Sequence, residues 1–377
     1  GDQSVTVTII DAESAPTVAL TSSASSVSES STSNLTLTAT LSVAAKVDVV
    51  VTLGASGSAI EGTHYASLSN ITISAGNTTG TAVFNPTNDN VSGGDKSAII
   101  SISSLSGASA SNGSPSSVTI SIIDDESTPT VTLSSSASTV AENGSDLTLT
   151  ATLSIASSEN VIVTLTGSGT STAVSDYASL STITISAGST SGTTTFDPTD
   201  DSVYEGSETA IIAITGVSGG SAVEDGTQSE TITITDSLAA PTVTLSSSVS
   251  TVAENGTNPT LTATLNRQTF EDVTVTITAS GTAIFGTDYT ALDQITISAG
   301  KTTGTITATL VNDSVYEGDE TAILNITGVS GGGATENGTQ TVTVTLTDSL
   351  AAPTATLIAS ASTVSEKASD LTLTATL

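Results

Sequence analysis

The sequence predicts an all-β protein made of tandem immunoglobulin-like antiparallel β-sandwiches, with about seven strands per repeat. Three observations support this prediction. The chain repeats itself, short runs alternate Val, Ile or Leu with Thr, and no segment has a convincing helical period. An acidic chain rich in Ser and Thr could instead be disordered, but the regular apolar alternation argues against disorder.

The repeat is recognised from its opening motif. "PTVALTSSASSVSES" begins at Pro16, and close variants begin at Pro129, Pro241 and Pro353, with spacings of 113, 112 and 112 residues. A unit of this length is a whole domain. The predicted organisation is the end of a preceding repeat, three complete repeats and the start of a further repeat: 1–15, 16–128 (repeat 1), 129–240 (repeat 2), 241–352 (repeat 3) and 353–377.

Repeat 2 shows the strand pattern in full. Seven runs, which we letter A to G, are "PTVTLSSS", "LTLTATLS", "NVIVTLTG", "STITISAG", "SGTTTFDP", "ETAIIAITGV" and "SETITITD". Turn-forming stretches such as "ENGSD" separate them. Because aromatic residues make up only 2% of the chain, Val, Ile and Leu must fill the core. Tyr65, Tyr177 and Tyr289 are expected to be core or edge packing residues.

The linkers between repeats are short. "DSLAAP" joins repeat 2 to repeat 3 and joins repeat 3 to the segment 353–377. Six residues that include a proline do not form a loose tether, so we expect neighbouring repeats to touch or nearly touch.

Composition excludes several classes of function. The formal net charge of −32 disfavours binding to nucleic acid or to anionic lipid. The chain has no cysteine and one histidine, which leaves no catalytic triad, no disulfide and no transition-metal site, so no enzymatic activity is expected. No apolar run is long enough to span a membrane. The absence of Cys and Met suits an extracellular location.

The acids concentrate in one repeated stretch. "TDDSVYEGSETA" at 199–210 returns as "VNDSVYEGDETA" at 311–322. If successive strands are antiparallel, loops A–B, C–D and E–F and the end of strand G share one pole, which faces the next repeat. Seven acids of repeat 2, which we name its acidic pole, fall there: Glu142, Asp176, Asp200, Asp201, Glu205, Glu208 and Asp236.

Such a cluster needs a compensating charge. Two unit charges ~4 Å apart repel by about 4 kcal/mol at an effective dielectric of 20. Repeat 2 contains no Lys or Arg, and carboxylate ligands without His or Cys suit Ca²⁺. The equivalent candidates in repeat 3 are Glu254, Asp288, Asn312, Asp313, Glu317, Glu320 and Asp348. The alternative, solvated loop charges that aid solubility, is preferred for scattered acids such as Glu159 and Asp197.

Repeat 1 departs from this pattern. His64 stands in the position of Asp176, while Gly93 and Lys96 replace Glu205 and Glu208. The candidate ligands that it retains are Glu29, Asp89, Asp124 and Asp125. We expect repeat 1 to bind fewer ions or to bind them more weakly.

The combined motifs resemble a known family. The early "V-x-E", the "D-Y", the "N/D-D-S-V-Y-E-G-x-E-T" and the closing "I-x-I-x-D" are similar to the Calx-β domain over essentially the whole chain. This resemblance implies a calcium-binding β-sandwich with ions at the distal loops. It also implies that the residues of the acidic pole of repeat 2, and their equivalents in repeat 3, are calcium ligands. "TISAGxTxGT" and "VSGGGATENGTQ" are similar to repeats of giant Bacteroidota adhesins, including gliding-motility surface filaments.

The expected function is a calcium-rigidified stalk segment of a large surface adhesin or filament, outside a bacterial cell. Its partners would be calcium and neighbouring repeats, with any surface or cell ligand bound elsewhere in the full protein. Nucleic acid and direct membrane insertion are not expected. Two alternatives remain: the repeats bind carbohydrate or protein directly, or they act as a calcium sensor.

Overall fold

A computed structural model describes residues 2–9, 13–290, 292–367 and 369–377. Their regular secondary structure is entirely β, and they include no helix long and apolar enough to cross a membrane. Each complete repeat forms one sandwich of a four-stranded and a five-stranded sheet. This confirms the predicted fold class.

The first sandwich pairs the sheets β6-β3-β1-β9 and β2-β10-β8-β4-β5. Its strands are β1 (Thr17–Ser22), β2 (Ser26–Ser28), β3 (Leu35–Leu41), β4 (Val49–Gly57), β5 (Ile71–Ile73), β6 (Thr79–Phe84), β7 (Val91–Ser92), β8 (Lys96–Ser106), β9 (Ser111–Asn112) and β10 (Ser117–Ile123).

The second sandwich pairs β17-β13-β11-β20 with β12-β21-β19-β15-β16. Its strands are β11 (Thr130–Ser135), β12 (Thr139–Ala141), β13 (Leu147–Leu153), β14 (Ala156–Ser157), β15 (Val161–Gly169), β16 (Ile183–Ile185), β17 (Ser191–Phe196), β18 (Val203–Tyr204), β19 (Glu208–Ser218), β20 (Val223–Glu224) and β21 (Ser229–Thr235). Strands A to G are β11, β13, β15, β16, β17, β19 and β21.

The third sandwich pairs β29-β24-β22-β32 with β23-β33-β31-β26-β28. Its strands are β22 (Thr242–Ser247), β23 (Thr251–Ala253), β24 (Thr260–Leu265), β25 (Gln268–Thr269), β26 (Val273–Gly281), β27 (Tyr289–Thr290), β28 (Gln294–Ile297), β29 (Thr303–Thr307), β30 (Thr309–Leu310), β31 (Glu320–Ser330), β32 (Thr335–Glu336) and β33 (Thr341–Thr347). The segment after it forms a hairpin of β34 (Thr356–Ala359) and β35 (Leu373–Thr376).

The core lies between the two sheets of each sandwich. In β13 every second side chain is buried, so the apolar residues of "LTLTATL" face the core and most of the threonines face water. Tyr65, Tyr177 and Tyr289 are all buried, as expected, and Tyr177 stacks on Phe196 with ring centroids 4.9 Å apart. The rest of this core is almost entirely Val, Ile, Leu and Ala.

Neighbouring sandwiches are joined by short parallel strand pairs. Strand β7 of repeat 1 pairs with β14 of repeat 2, and β18 of repeat 2 pairs with β25 of repeat 3. We name β7 and β18 the docking strands and β14 and β25 the acceptor strands. The amide of Ser158 donates to the carbonyl of Ser92 at 3.0 Å. Neighbouring repeats are thus in direct contact, in agreement with the expectation from their short linkers.

Candidate metal centres

Carboxylates hold the E–F loop of repeat 2 in shape. Asp201 Oδ1 accepts a hydrogen bond from the amide of Val203 at 2.7 Å, at the start of the docking strand β18. Asp236, which follows strand β21, accepts from the amides of Glu205 and Gly206 through Oδ2 at 2.7 and 3.0 Å. Two acids that are distant in sequence therefore anchor the loop on either side of β18.

Three acids of this pole converge on one point. Oxygens of Asp176, Glu205 and Glu208 all lie within 4.8 Å of one another. Calcium binds oxygens at about 2.3–2.6 Å, so any two of its ligands lie within about 5 Å of each other. Asp176 is only 7% exposed, and its Oδ2 is oriented by the amide and the hydroxyl of Thr172. The group fits a single hard cation.

The remaining acids of the pole lie around Glu142. This side chain is only 6% exposed, and its Oε2 accepts from the amide of Ser237 at 3.4 Å. The hydroxyl of Ser237 in turn donates to Asp200 Oδ1 at 2.6 Å. Charge repulsion from Asp236, Glu205 and Asp201 reaches Glu142. The seven acids of the predicted pole thus form one continuous cluster.

The ionisation of these acids is strongly perturbed. Burial, followed by the neighbouring charge of Asp236, raises the pKa of Glu142 to about 7. Burial and then Asp176 raise the pKa of Glu208 to about 7, and the same two causes raise the pKa of Glu205. Repeat 2 has no His, Lys or Arg to offset these charges. A bound cation would favour the ionised forms instead.

Repeat 3 reproduces the arrangement. Oxygens of Asp288, Glu317 and Glu320 lie within 4.8 Å of one another, and burial raises the pKa of Glu320 to about 7. The outer contacts also recur. Asp313 accepts a hydrogen bond from the amide of Val315, and Asp348 accepts from the amides of Glu317 and Gly318. Asn312 accepts from the hydroxyl of Ser349, and Glu254 is buried.

Repeat 1 keeps the backbone contacts and loses the central group. Asp89 accepts from the amide of Val91, and Asp124 accepts from Gly93 and Gly94, as their equivalents do in repeat 2. His64 Nδ1 accepts from the amide of Ile60 at 2.8 Å, which is the contact that Asp288 makes with Ile284. The histidine therefore takes over the structural role of the aspartate without its negative charge.

A different acidic group forms in repeat 1. Oxygens of Glu29, Asp124 and Glu126 lie within 4.8 Å of one another, whereas the predicted candidate Asp125 is exposed and lies outside this group. Sequence reasoning did not select Glu126. Since side chains alternate along extended chain, the residue two after Asp124 was the better choice.

The new group carries unsatisfied polar atoms. Glu29 Oε1 and Glu126 Oε2 are buried and have no hydrogen-bond partner within the described part of the chain. Burial, and then the adjacent carboxyl group of Glu126, raises the pKa of Glu29 to about 8. Such a pair either shares protons or holds a cation, because two buried carboxylates cannot both be charged without one.

Comparisons with known proteins address the family. The family model of the Calx-beta domain matches residues 11–126, 124–238 and 236–350. Among solved structures, CBD12 from CALX1.2 is 15% identical with a TM-score of 0.27, over 57% of this chain and 99% of that chain. The calcium binding domain CBD12 of CALX1.1 is 15% identical with a TM-score of 0.26, over 55% of this chain and 96% of its own.

A two-domain protein of unknown function from Bacteroides fragilis is 10% identical, with a TM-score of 0.24, over 48% of this chain and 84% of that chain. No curated protein matches the sequence. The family model covers each of the three sandwiches and the acidic loops at their poles. The chain therefore belongs to the Calx-beta domain family, of which it contains three consecutive copies.

Proposed function

We propose that the chain is a calcium-rigidified spacer in which ions at the acidic poles of repeats 2 and 3 hold each sandwich fixed against its neighbour. The observation that carries this proposal is the position of the docking strand. In repeat 2, Asp201 lies two residues before the first residue of β18, and Glu205 directly follows the last residue of β18. A cation bound at the pole would fix the loop that makes the contact with repeat 3.

Charge supplies the reason for calcium dependence. The three converging acids of repeat 2 find no positive side chain within their own repeat, which contains no Lys, Arg or His. Without a cation, the pole must either take up protons or repel itself, and the loop that carries β18 would loosen. Calcium accepts irregular sets of six to eight oxygens, so it suits a pole built from several loops.

The family also bears on enzymatic activity. Calx-beta domains are non-enzymatic calcium-binding β-sandwich domains, which agrees with the expectation that the chain is not an enzyme. A mechanical role needs only folding, cation binding and contact between repeats.

We place this spacer in a large extracellular surface protein of the adhesin or filament type, at the bacterial cell surface. The supporting features are the repetition, the absence of Cys and Met and the net charge of −32. Immunolabelling of intact cells that produce the protein tests this location. Signal only after the cells are permeabilised would contradict it.

The spacer role is tested with two spin labels. The chain has no native cysteine, so Ser189→Cys and Lys301→Cys label equivalent exposed sites in repeats 2 and 3. Calcium should narrow the distance distribution between the labels and raise the melting temperature. Magnesium at equal ionic strength should do neither to the same extent.

The variant Glu205→Ala/Glu317→Ala should lose both effects of calcium. Asp225→Ala is the matched control, because Asp225 is an exposed acid of repeat 2 that precedes strand β21, whereas Asp236 of the pole follows the other end of that strand. Equal melting and equal distance distributions in calcium, magnesium and chelator would overturn the proposal.

A further inference from the structure

The two junctions between repeats are filled in different ways. In the second junction, Tyr204 of the docking strand reaches the turn Gly331–Gly333 of repeat 3. A Cβ added to Gly333 would lie 2.7 Å from Cε1 and 3.2 Å from Oη of Tyr204. Real Cβ atoms do not approach that closely, so the tyrosine ring occupies the space of a side chain at position 333.

The first junction has small residues at both places. The docking strand ends in Ser92, and the third residue of the matching turn is Ser221 instead of glycine. Both residues line a cavity of about 100 Å³ between the repeats, together with Gly93, Ser158 and Gly220. The serine pair therefore leaves open a space that Tyr204 fills in the second junction.

Backbone strain does not explain the difference. Ser221 has φ of 53° and Gly333 has φ of 62°, so serine is accommodated in this left-handed conformation. A serine side chain at position 333 would instead clash with the ring of Tyr204 in the preceding repeat. The choice between serine and glycine thus follows the residue that docks there.

We propose that these two positions form a size-matched pair that determines which repeats can dock: tyrosine in the docking strand requires glycine at the third turn position, and serine accepts serine. This proposal rests on the proposed spacer function in one respect: it assumes that the spacer function needs docked junctions between the repeats. It makes Tyr204–Gly333 and Ser92–Ser221 the specificity-determining residue pairs of the array.

The same size rule predicts which repeats could dock against the outer end of repeat 3 and the outer end of repeat 1. Val315 and Tyr316, equivalent to β18, are exposed at 57% and 43%. They would receive a Calx-beta repeat with glycine at its third turn position, continuing the interface seen between repeats 2 and 3. The corresponding turn of repeat 1 carries Ser109, so that face would receive a repeat with a small docking residue.

The test uses the 377-residue chain with spin labels at Ser189→Cys and Lys301→Cys, in calcium. Gly333→Ser should raise the ratio of displaced to docked junctions by about tenfold, and adding Tyr204→Ser should reverse most of that loss. Gly338→Ser is the control, because Gly338 has φ of 65° and open space around its Cβ position. It should leave the distance distribution unchanged.

The rule is then transferred to the first junction, with labels at Asn77→Cys and Ser189→Cys. Ser92→Tyr alone should displace that junction, and Ser92→Tyr/Ser221→Gly should restore it. The idea is overturned if Gly333→Ser behaves like Gly338→Ser, or if neither double variant improves on its single variant.

The outcome does not depend on calcium binding. The test compares the fraction of displaced junctions in the single variants with that in the double variants. This comparison can be made in calcium or in chelator. Failure of the spacer function would instead leave the parent chain equally broad in both buffers.

Discussion

The acidic poles of repeats 1 and 2 share a shape and differ in charge. Asp89 and Asp124 of repeat 1 make the same backbone contacts as Asp201 and Asp236 of repeat 2. His64, Gly93 and Lys96 stand where repeat 2 has its three converging acids. The comparison shows that the acids that shape the loop are separable from those that would hold a cation.

Lys96 adds a further difference between the poles. Its Nζ donates to the carbonyl of Gly93 at 2.6 Å, within the loop that leads from the docking strand β7. Repeat 1 therefore has a covalently attached positive charge close to the place where Glu205 and Glu208 lie in repeat 2. Its loop has less need of an external ion.

The largest expected effect is a contrast between repeats of the unmodified chain. Calcium at about 100 times its dissociation constant should stabilise a binding repeat by about 2.7 kcal/mol. Hydrogen exchange in 199–210 and 311–322 should then slow by about 100-fold, with a much smaller change in 87–98, the equivalent stretch of repeat 1. Peptide-resolved exchange with calcium and with chelator measures this. Equal protection of the three segments would show that the substitutions in repeat 1 do not matter.

A smaller effect should follow when repeat 1 is given the acids of repeat 2. His64→Asp/Gly93→Glu/Lys96→Glu should slow exchange in 87–98 by about tenfold in calcium, because it restores three converging carboxylates. A Cβ at Gly93 would lie 3.1 Å from Ser158 Oγ, a contact that a hydroxyl can relieve by rotating.

The matched control for this conversion is Lys46→Glu, which changes an exposed lysine of the same repeat away from the pole. It should give no calcium response. If the triple variant and the control behave alike, the pole of repeat 1 lacks more than its charges.

The converse variant, Asp176→Asn, should make the pole of repeat 2 resemble that of repeat 1. The amide oxygen can still accept from Thr172, as His64 does from Ile60, so the loop should keep its fold. Calcium affinity should fall by about tenfold while stability in chelator rises, because one repelling charge is gone. Calorimetric titration with calcium and melting in chelator measure the two effects. A drop in stability in chelator would contradict this separation of roles.

The sequence was sufficient for the sandwiches and much of the poles. All seven runs of repeat 2 are strands, because their apolar alternation reports burial on one face directly. The loops converge because successive strands are antiparallel. The short β12 and β20 were not foreseen, since segments of two or three residues have no measurable period.

What the sequence did not reveal depends on contacts between distant residues. The pairing of β18 with β25 involves two residues on each side, and nothing local marks them as strand. The selection of Glu126 over Asp125 depends on which side chain turns toward Glu29. The fit of Tyr204 against Gly333 arises only when two repeats meet.

The smallest expected effect is a pH dependence in chelator that distinguishes the two poles. A carboxyl group whose pKa is raised by folding binds its proton more tightly in the folded state. Its stabilising contribution is complete below the unfolded value of about 4.5 and is lost as pH rises through the folded value. For Glu142 and Glu208 of repeat 2 the midpoint of proton release in the folded state is about pH 7, whereas for Glu29 of repeat 1 it is about pH 8.

Between pH 7 and 8, repeat 1 should therefore lose more stability per carboxyl group than repeat 2, whose larger losses occur at lower pH. Hydrogen exchange in chelator, corrected for the intrinsic pH dependence of amide exchange, resolves the two repeats in one sample. Glu29→Gln should remove the slope of repeat 1 in this window, because an amide does not ionise. If the slope survives this substitution, or if repeat 2 shows it equally, burial of Glu29 is not its cause, and the two poles differ in charge number alone.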